Sequence, residues 1–318
     1  MPRATDVLYV RYQVTDLAIA ERFLADFGMS RAQPGDGSRL YMRGTGDAPF
    51  LYEAVLGDAC RFLGAGLRVQ TRTDLEQLAA LPDSGPIEQV DDVPGKGERV
   101  RMRMPDGFEI DAVYGGTPAP LPTSHSTLHD GNTLPFNTAH AKPRVNRAVR
   151  VAAGPVPVRR LGHFVLHVLD HDVSVEWLQT RFGLMASDFL APPDQPDRVV
   201  GSFLRIDAGE QLVDHHCMLV LGAQKAGVHH CSFEVEDLDA VMAGHDHLTA
   251  QGYELDCGVG RHLLGSQIFD YWRDPFGFRI EHYTDGDVVN NAHRATIFSG
   301  TADETTQWGA KPPREFFS

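Results

Sequence analysis

The chain has 318 residues, 42% of them hydrophobic, and a formal net charge of -14. That length and apolar content suffice for two cores of ordinary domain size. The acidic balance excludes a surface that tracks nucleic-acid phosphates, because such a surface needs a concentrated excess of Lys and Arg.

The opening MPRATDVLYVRYQVTDL lacks the basic-then-apolar run of a secretory signal, and no apolar run is long enough to span a bilayer. A cytoplasmic protein without a membrane partner is expected. Cys60, Cys217, Cys231 and Cys257 show no C-x-x-C spacing, so free buried thiols are expected rather than bridges.

In chain order, residues 7 to about 115 open with the alternating strand pattern VLYVRYQV. A helix follows, with Leu17, Ala20, Phe23, Leu24 and Phe27 at helical spacing and Gly28 as its stop. LRVQTRTDLEQLAAL comes next, and the segment closes on MPDGFEID. From about 116 to 158 the chain is rich in Pro, Ser, Thr and Asn without periodicity, which reads as a linker or extended loop. A second segment starts near 161 with the strand GHFVLHVLD, with Asp172 as the expected cap of a helix running through Trp177 and Phe182 to Gly183. HHCSFEVEDLDAVMAGHDHL and DPFGFRIE then repeat the plan of the first segment.

Such an internal repeat sets the architecture before any single residue does. It predicts an α+β chain of repeated βαβββ units forming two similar domains. The expected divisions are an amino-terminal domain over 1–118, a linker or extended loop over 119–158, a carboxy-terminal domain over 159–291, and an aperiodic tail over 292–318 that reads as either a surface tail or a lid.

Histidines crowd the second segment. Alternate strand residues share a face, so His163 projects with Val165 and His167, and His230 with Ser232 and Glu234. Aligning GHFVLHV with HHCSFEV puts His163 and His230 at matching places on the first strands of consecutive units, and selects His230 over His229. A pseudo-two-fold axis between those units brings the two imidazoles together. Glu281 ends the strand after the turn DPFG and supplies a carboxylate. Two imidazoles and a carboxylate on one side of a metal suit non-haem Fe(II), and catalytic Zn(II) uses the same donor types.

The stretch GRHLLGSQIFDYWRDPFGFRIE, residues 260–281, resembles the signature of the two-domain type I extradiol dioxygenases of the vicinal oxygen chelate (glyoxalase/bleomycin resistance) superfamily: a His, a Tyr nine residues on, Asp-Pro-x-Gly, then Glu. The resemblance extends over most of the chain. It implies the vicinal oxygen chelate fold and an enzyme that opens a catechol-type ring beside its hydroxyls with O2 and Fe(II), or with Mn(II). It implies His163, His230 and Glu281 as metal ligands, His216 and His262 as acid/base groups, and Tyr271 as a partner of the substrate oxygens. The spacing of fourteen residues to His230 selects His216 over His215. A homo-oligomer is also implied. Asp270 departs from the signature, which has a large apolar residue before the tyrosine.

In the first segment the counterparts fall at Leu8 or Tyr9 for His163, about Leu67 for His230 and Asp111 for Glu281. About Asp92 and Arg101 stand for His262 and Tyr271, so this copy keeps no complete ligand set. Two other readings use the same fold: a glyoxalase-like isomerase or transferase with its own metal, and a ligand-binding protein without metal chemistry.

Overall fold

The computed structural model describes residues 2–33, 37–121 and 136–317. The first module runs β1 (Ala4–Val14), α1 (Leu17–Asp26), β2 (Ser30–Arg31), β3 (Arg39–Arg43), β4 (Tyr52–Leu56), β5 (Arg61–Val69), α2 (Arg72–Ala79), β6 (Ser84–Gln89), β7 (Glu98–Arg103) and β8 (Glu109–Tyr114). The second runs β9 (Arg160–Val168), α3 (His171–Phe182), β10 (Met185–Ala191), β11 (Gly201–Arg205), β12 (Val213–Asp214), β13 (Met218–Gly222), β14 (Gly227–Glu234), α4 (Leu238–Gln251), β15 (Glu254–His262), β16 (Ile268–Arg273) and β17 (Arg279–Thr284). Short strands β18 (Val288–Val289), β19 (Thr296–Ser299) and β20 (Thr306–Gly309) follow, with single 3-10 turns at Ala302–Thr305 and Arg314–Phe317. No helix among the described residues is long and apolar enough to cross a membrane.

Each helix starts where a short polar side chain takes up free backbone donors of its first turn. Asp16 accepts from Ala18 and Ile19, Thr71 forms a capping box with Asp74, and Asp237 accepts from Ala240. In α3 the cap is Asp170, not the expected Asp172: Asp170 has the extended backbone a cap needs and accepts from the Val173 N–H, whereas Asp172 already lies in the first turn. Gly183 ends that helix at φ 66°, a left-handed conformation that costs glycine little.

The first sheet has the order β2-β3-β4-β1-β5-β8-β7-β6, and the second β19-β10-β11-β13-β9-β14-β17-β16-β15-β20. The two therefore share one plan, two βαβββ units side by side, with β1 antiparallel to β5 in one sheet and β9 antiparallel to β14 in the other. The tail is less irregular than the sequence suggests, since β19 pairs with β10 and β20 with β15.

The modules pack through a common core that includes Val10, Tyr12, Phe27, Phe164 and Phe233. The Tyr12 hydroxyl donates to Cys231 Sγ at 3.4 Å, and His282 donates to the Phe27 carbonyl at 2.8 Å while stacking on the Phe27 ring. Gly28 has φ 105°, and a β-carbon there would lie 1.7 Å from the Val156 carbonyl oxygen. That contact pins the end of the interdomain segment, whose residues 122–135 lie outside the described residues. Cys217, Cys231 and Cys257 are free and buried as expected, but Cys60 is exposed.

Register fixes which residues of the two modules correspond. Ser232 on β14 pairs with both His163 and Glu281, and Gly66 on β5 pairs with both Tyr9 and Asp111. Tyr9 and Asp111 thus stand where His163 and Glu281 stand. The position of His230, opposite Val165, is held by Gly64, opposite Arg11, not by a residue near Leu67. Arg101 replaces Tyr271, as expected, but His262 corresponds to Val90 and not to the vicinity of Asp92, because the two backbone N–H groups bond to the matching carbonyls of Gln267 and Gly97.

Candidate metal centre and active site

Three central strands of the second sheet deliver His163 from β9, His230 from β14 and Glu281 from β17 to one buried point. The two Nε2 atoms lie 3.3 Å apart, and each lies 3.3 Å from Glu281 Oε2. The imidazoles are 3% exposed and the carboxylate not at all. Neither carboxylate oxygen receives a well-directed hydrogen bond among the described residues, despite complete burial. A bare buried carboxylate of that kind is costly unless a cation faces it.

The donor set fits a metal. Donor atoms 3.3 Å from one another leave room for an ion at ordinary ligand distances of about 2.1 Å from each. Burial lowers the His230 pKa to about 4 against the pull of Glu281, so its imidazole is neutral. Burial by itself would raise Glu281, but His163 and His230 outweigh it and hold the acid below the usual carboxylate range. Neutral imidazoles and an ionised carboxylate are the forms that bind a metal.

Around this point lie the other residues singled out in the sequence. His216 stacks near His163 with ring centroids 4.4 Å apart, and burial and the neighbouring imidazoles hold its pKa well below the usual value. The Tyr271 hydroxyl and His262 Nε2 share a 2.8 Å hydrogen bond. Burial brings His262 down to about 4 and raises Tyr271 well above its usual range, so both are neutral. All six predicted residues converge on one pocket, with Phe203, Leu264 and Phe317 among its walls.

Sequence reasoning missed two supporting chains. His215 turns away from the pocket and meets Asp188 Oδ2 through Nε2 at 2.8 Å, while its Nδ1 faces His216 Nδ1 at 3.1 Å. Asp188 also accepts from the Thr296 N–H and hydroxyl, both at 2.7 Å. With a proton on His215 Nε2 toward the carboxylate, His215 Nδ1 is an acceptor, His216 Nδ1–H donates to it, and His216 Nε2 faces the pocket as a base. Behind the other doublet, His229 bridges His230 Nδ1 to the Phe316 carbonyl and touches Arg279, whose guanidinium lies 3.9 Å from the Phe316 ring centroid. The His-His doublets were the visible signal, but their partners are distant in sequence.

Asp270, the departure from the signature, points to the opposite face of β16. It is fully buried, accepts from Trp272 Nε1 at 2.6 Å and pairs with His245 of α4 at 3.0 Å. It therefore packs helix against sheet and leaves Tyr271 unobstructed.

Residues 160–282 match the family model described as the Glyoxalase/Bleomycin resistance protein/Dioxygenase superfamily. The second module is a domain of that superfamily. The chain is 29% identical over 314 residues to Metapyrocatechase 2 of Cupriavidus necator, covering 96% of this chain and 88% of that one. It is 22% identical to an iron-dependent extradiol dioxygenase of Rhodococcus jostii, with 89% and 90% covered. Among solved structures, homoprotocatechuate 2,3-dioxygenase of Arthrobacter globiformis superposes with TM-score 0.80 at 18% identity, covering 100% of this chain and 91% of the other. A Mn(II)-bound glyoxalase of Novosphingobium aromaticivorans gives 0.77 at 21%, with 100% and 95% covered. These two structures establish the shared fold.

Proposed function

We propose that the chain is an extradiol ring-cleaving dioxygenase, acting on a catechol-type diol and O2 at a metal held by His163, His230 and Glu281. The observation that carries this reading is the convergence of those three donors with His216, His262 and Tyr271 in one buried pocket. Its relatives by sequence across nearly the whole chain are ring-cleaving dioxygenases by name. The metal is Fe(II), and the same donors suit Mn(II). Held by His163, His230 and Glu281, such an ion would supply Lewis-acid activation of the diol and the redox chemistry that its reaction with O2 requires.

The protein's own groups do the rest. The His262–Tyr271 pair faces the substrate oxygens and fixes their orientation. His216 Nε2 takes a proton from the diol and returns it as the ring opens. The apolar walls of Leu264 and Phe317 exclude water, which strengthens each of these polar contacts. Ring opening beside the diol with both atoms of O2 retained yields a muconic semialdehyde or comparable keto acid.

The test is anaerobic loading with Fe(II), addition of a panel of substituted catechols, and admission of air. One O2 consumed per diol with appearance of a yellow ring-opened product is expected. Absence of uptake across the panel, with turnover of a glutathione hemithioacetal instead, would transfer the assignment to a glyoxalase-like isomerase.

A further inference from the structure

The first module repeats the frame of the metal site but replaces each of its functional groups. Tyr9, Gly64 and Asp111 stand in place of His163, His230 and Glu281, and Val90 and Arg101 in place of His262 and Tyr271. Phe50 replaces His216: Val10 N–H donates to the Leu51 carbonyl as Phe164 N–H does to that of Cys217, so the preceding residues correspond. Phe50 stacks on Tyr9 at 4.5 Å, close to the 4.4 Å that separates the more tilted rings of His216 and His163. The Asp111 carboxylate is already satisfied, because Arg101 donates to both oxygens at 2.7 and 2.9 Å and the Tyr9 hydroxyl donates at 2.9 Å. An internal guanidinium compensates the acid, so this site has no vacancy for a metal.

The cavity beside it persists and is larger. It encloses about 310 Å³, against about 30 Å³ beside the metal-binding residues. That volume falls in the range of small-molecule sites. Tyr9, Phe50, Val90 and Val113 of one buried apolar cluster line it. Arg68, Lys96 and Arg99 supply positive charge at the cavity, and Glu53, its one acidic lining residue, is taken by Arg11 at 2.8 Å. Arg68 and Lys96 form no salt bridge within 4 Å among the described residues, although Arg68 feels the charge of Asp6. Arg99 is already paired with Glu88 at 2.9 Å and lies 3.8 Å from Asp111, so Arg68 and Lys96 are the cavity cations left for an anion on a chain of net charge -14.

We propose that the first module binds a monocyclic aromatic carboxylate in this cavity, without chemistry: the ring lies against Phe50 and Val90, and the carboxylate meets Lys96 and Arg68. The site is separate from the proposed metal pocket, and only the catechol competition in its test rests on the function proposed above.

The probe is 4-fluorobenzoate, followed by fluorine NMR against the full iron-loaded chain under anaerobic conditions. Saturable binding of one molecule per chain is expected, persisting when saturating catechol fills the metal-binding pocket. Val90→Trp, which fills the cavity, should abolish it, and Lys96→Glu, at an exposed position that leaves the core intact, should weaken it by about tenfold or more. The proposal fails if no saturable binding appears, if catechol displaces the probe, or if Lys96→Glu binds as the parent does. Should Val90→Trp not fold, the charge reversal and the catechol competition still decide.

Discussion

Phe317 stands between two spaces. It lines the small cavity beside the proposed metal ligands and also the outer cleft of about 1250 Å³. The inner space of about 30 Å³ is small for a diol of eight heavy atoms, so we expect a wall to move on binding. Phe317 belongs to the final 3-10 turn, which rests on the sheet through contacts of Phe316 and Phe317 with His229. Covering a phenyl group contributes about 2 kcal/mol, and if the diol displaces that group its apparent affinity falls by the corresponding factor, about thirtyfold. Phe317→Ala removes the barrier. The dissociation constant of a catechol from the anaerobic iron-loaded protein should fall by up to that factor, while kcat falls because water reaches the site. Anaerobic optical titration gives the first quantity and oxygen uptake the second. An unchanged or weaker affinity would refute this account of Phe317 as a plug.

Further expectations concern single groups. His216→Phe should keep iron and diol binding but lose about a hundredfold to ten-thousandfold in kcat, and near-normal turnover would remove His216 from proton transfer. Glu281→Gln should strip iron from the purified protein by elemental analysis, since a neutral amide replaces the ionised carboxylate of the donor set; full iron occupancy would contradict its assignment as a ligand. Asp188→Asn should lower kcat with iron content and diol affinity unchanged, because an amide facing His215 Nε2 can reverse the proton order through His216; loss of iron instead would show a purely structural role. Burial lowers His230, His262 and His282 each to about 4, from about 6.5 in the unfolded chain. Their stabilising contribution is complete above the unfolded value and is lost as pH falls toward the folded one, with an upper bound of roughly 3 kcal/mol per histidine. Urea midpoints of metal-free protein should therefore drop between about pH 7 and about pH 5, and equal midpoints would refute the linkage.

The three proposed metal ligands were legible as a cluster because strand alternation is rigid. Once GHFVLHV and HHCSFEV were aligned, only one residue of each His-rich strand pair could face the axis between them, and the structure places His163 and His230 there. Gly183 was legible for a similar reason, as a left-handed stop has few alternatives. Counterparts in the first module were harder to place. Irregular pairing at Val7/Tyr9 and Val228/His230 breaks simple counting along the strands, so Gly64 and Val90 emerge only from hydrogen-bond register. Four-residue strands such as β19 and β20 carry too little pattern to announce themselves. Asp188 and His215 meet across 27 residues of chain, a contact that no local spacing encodes.

The carboxy-terminal strands have one more effect. β19 and β20 form the two outer borders of the ten-stranded sheet, and each is four residues long. Borders that short offer little for another chain to zip onto, which is how natural sheets discourage ribbon-like continuation between molecules. An assembly of several copies would therefore join through helices or loops, and the second module's sheet would remain a finite, self-contained surface.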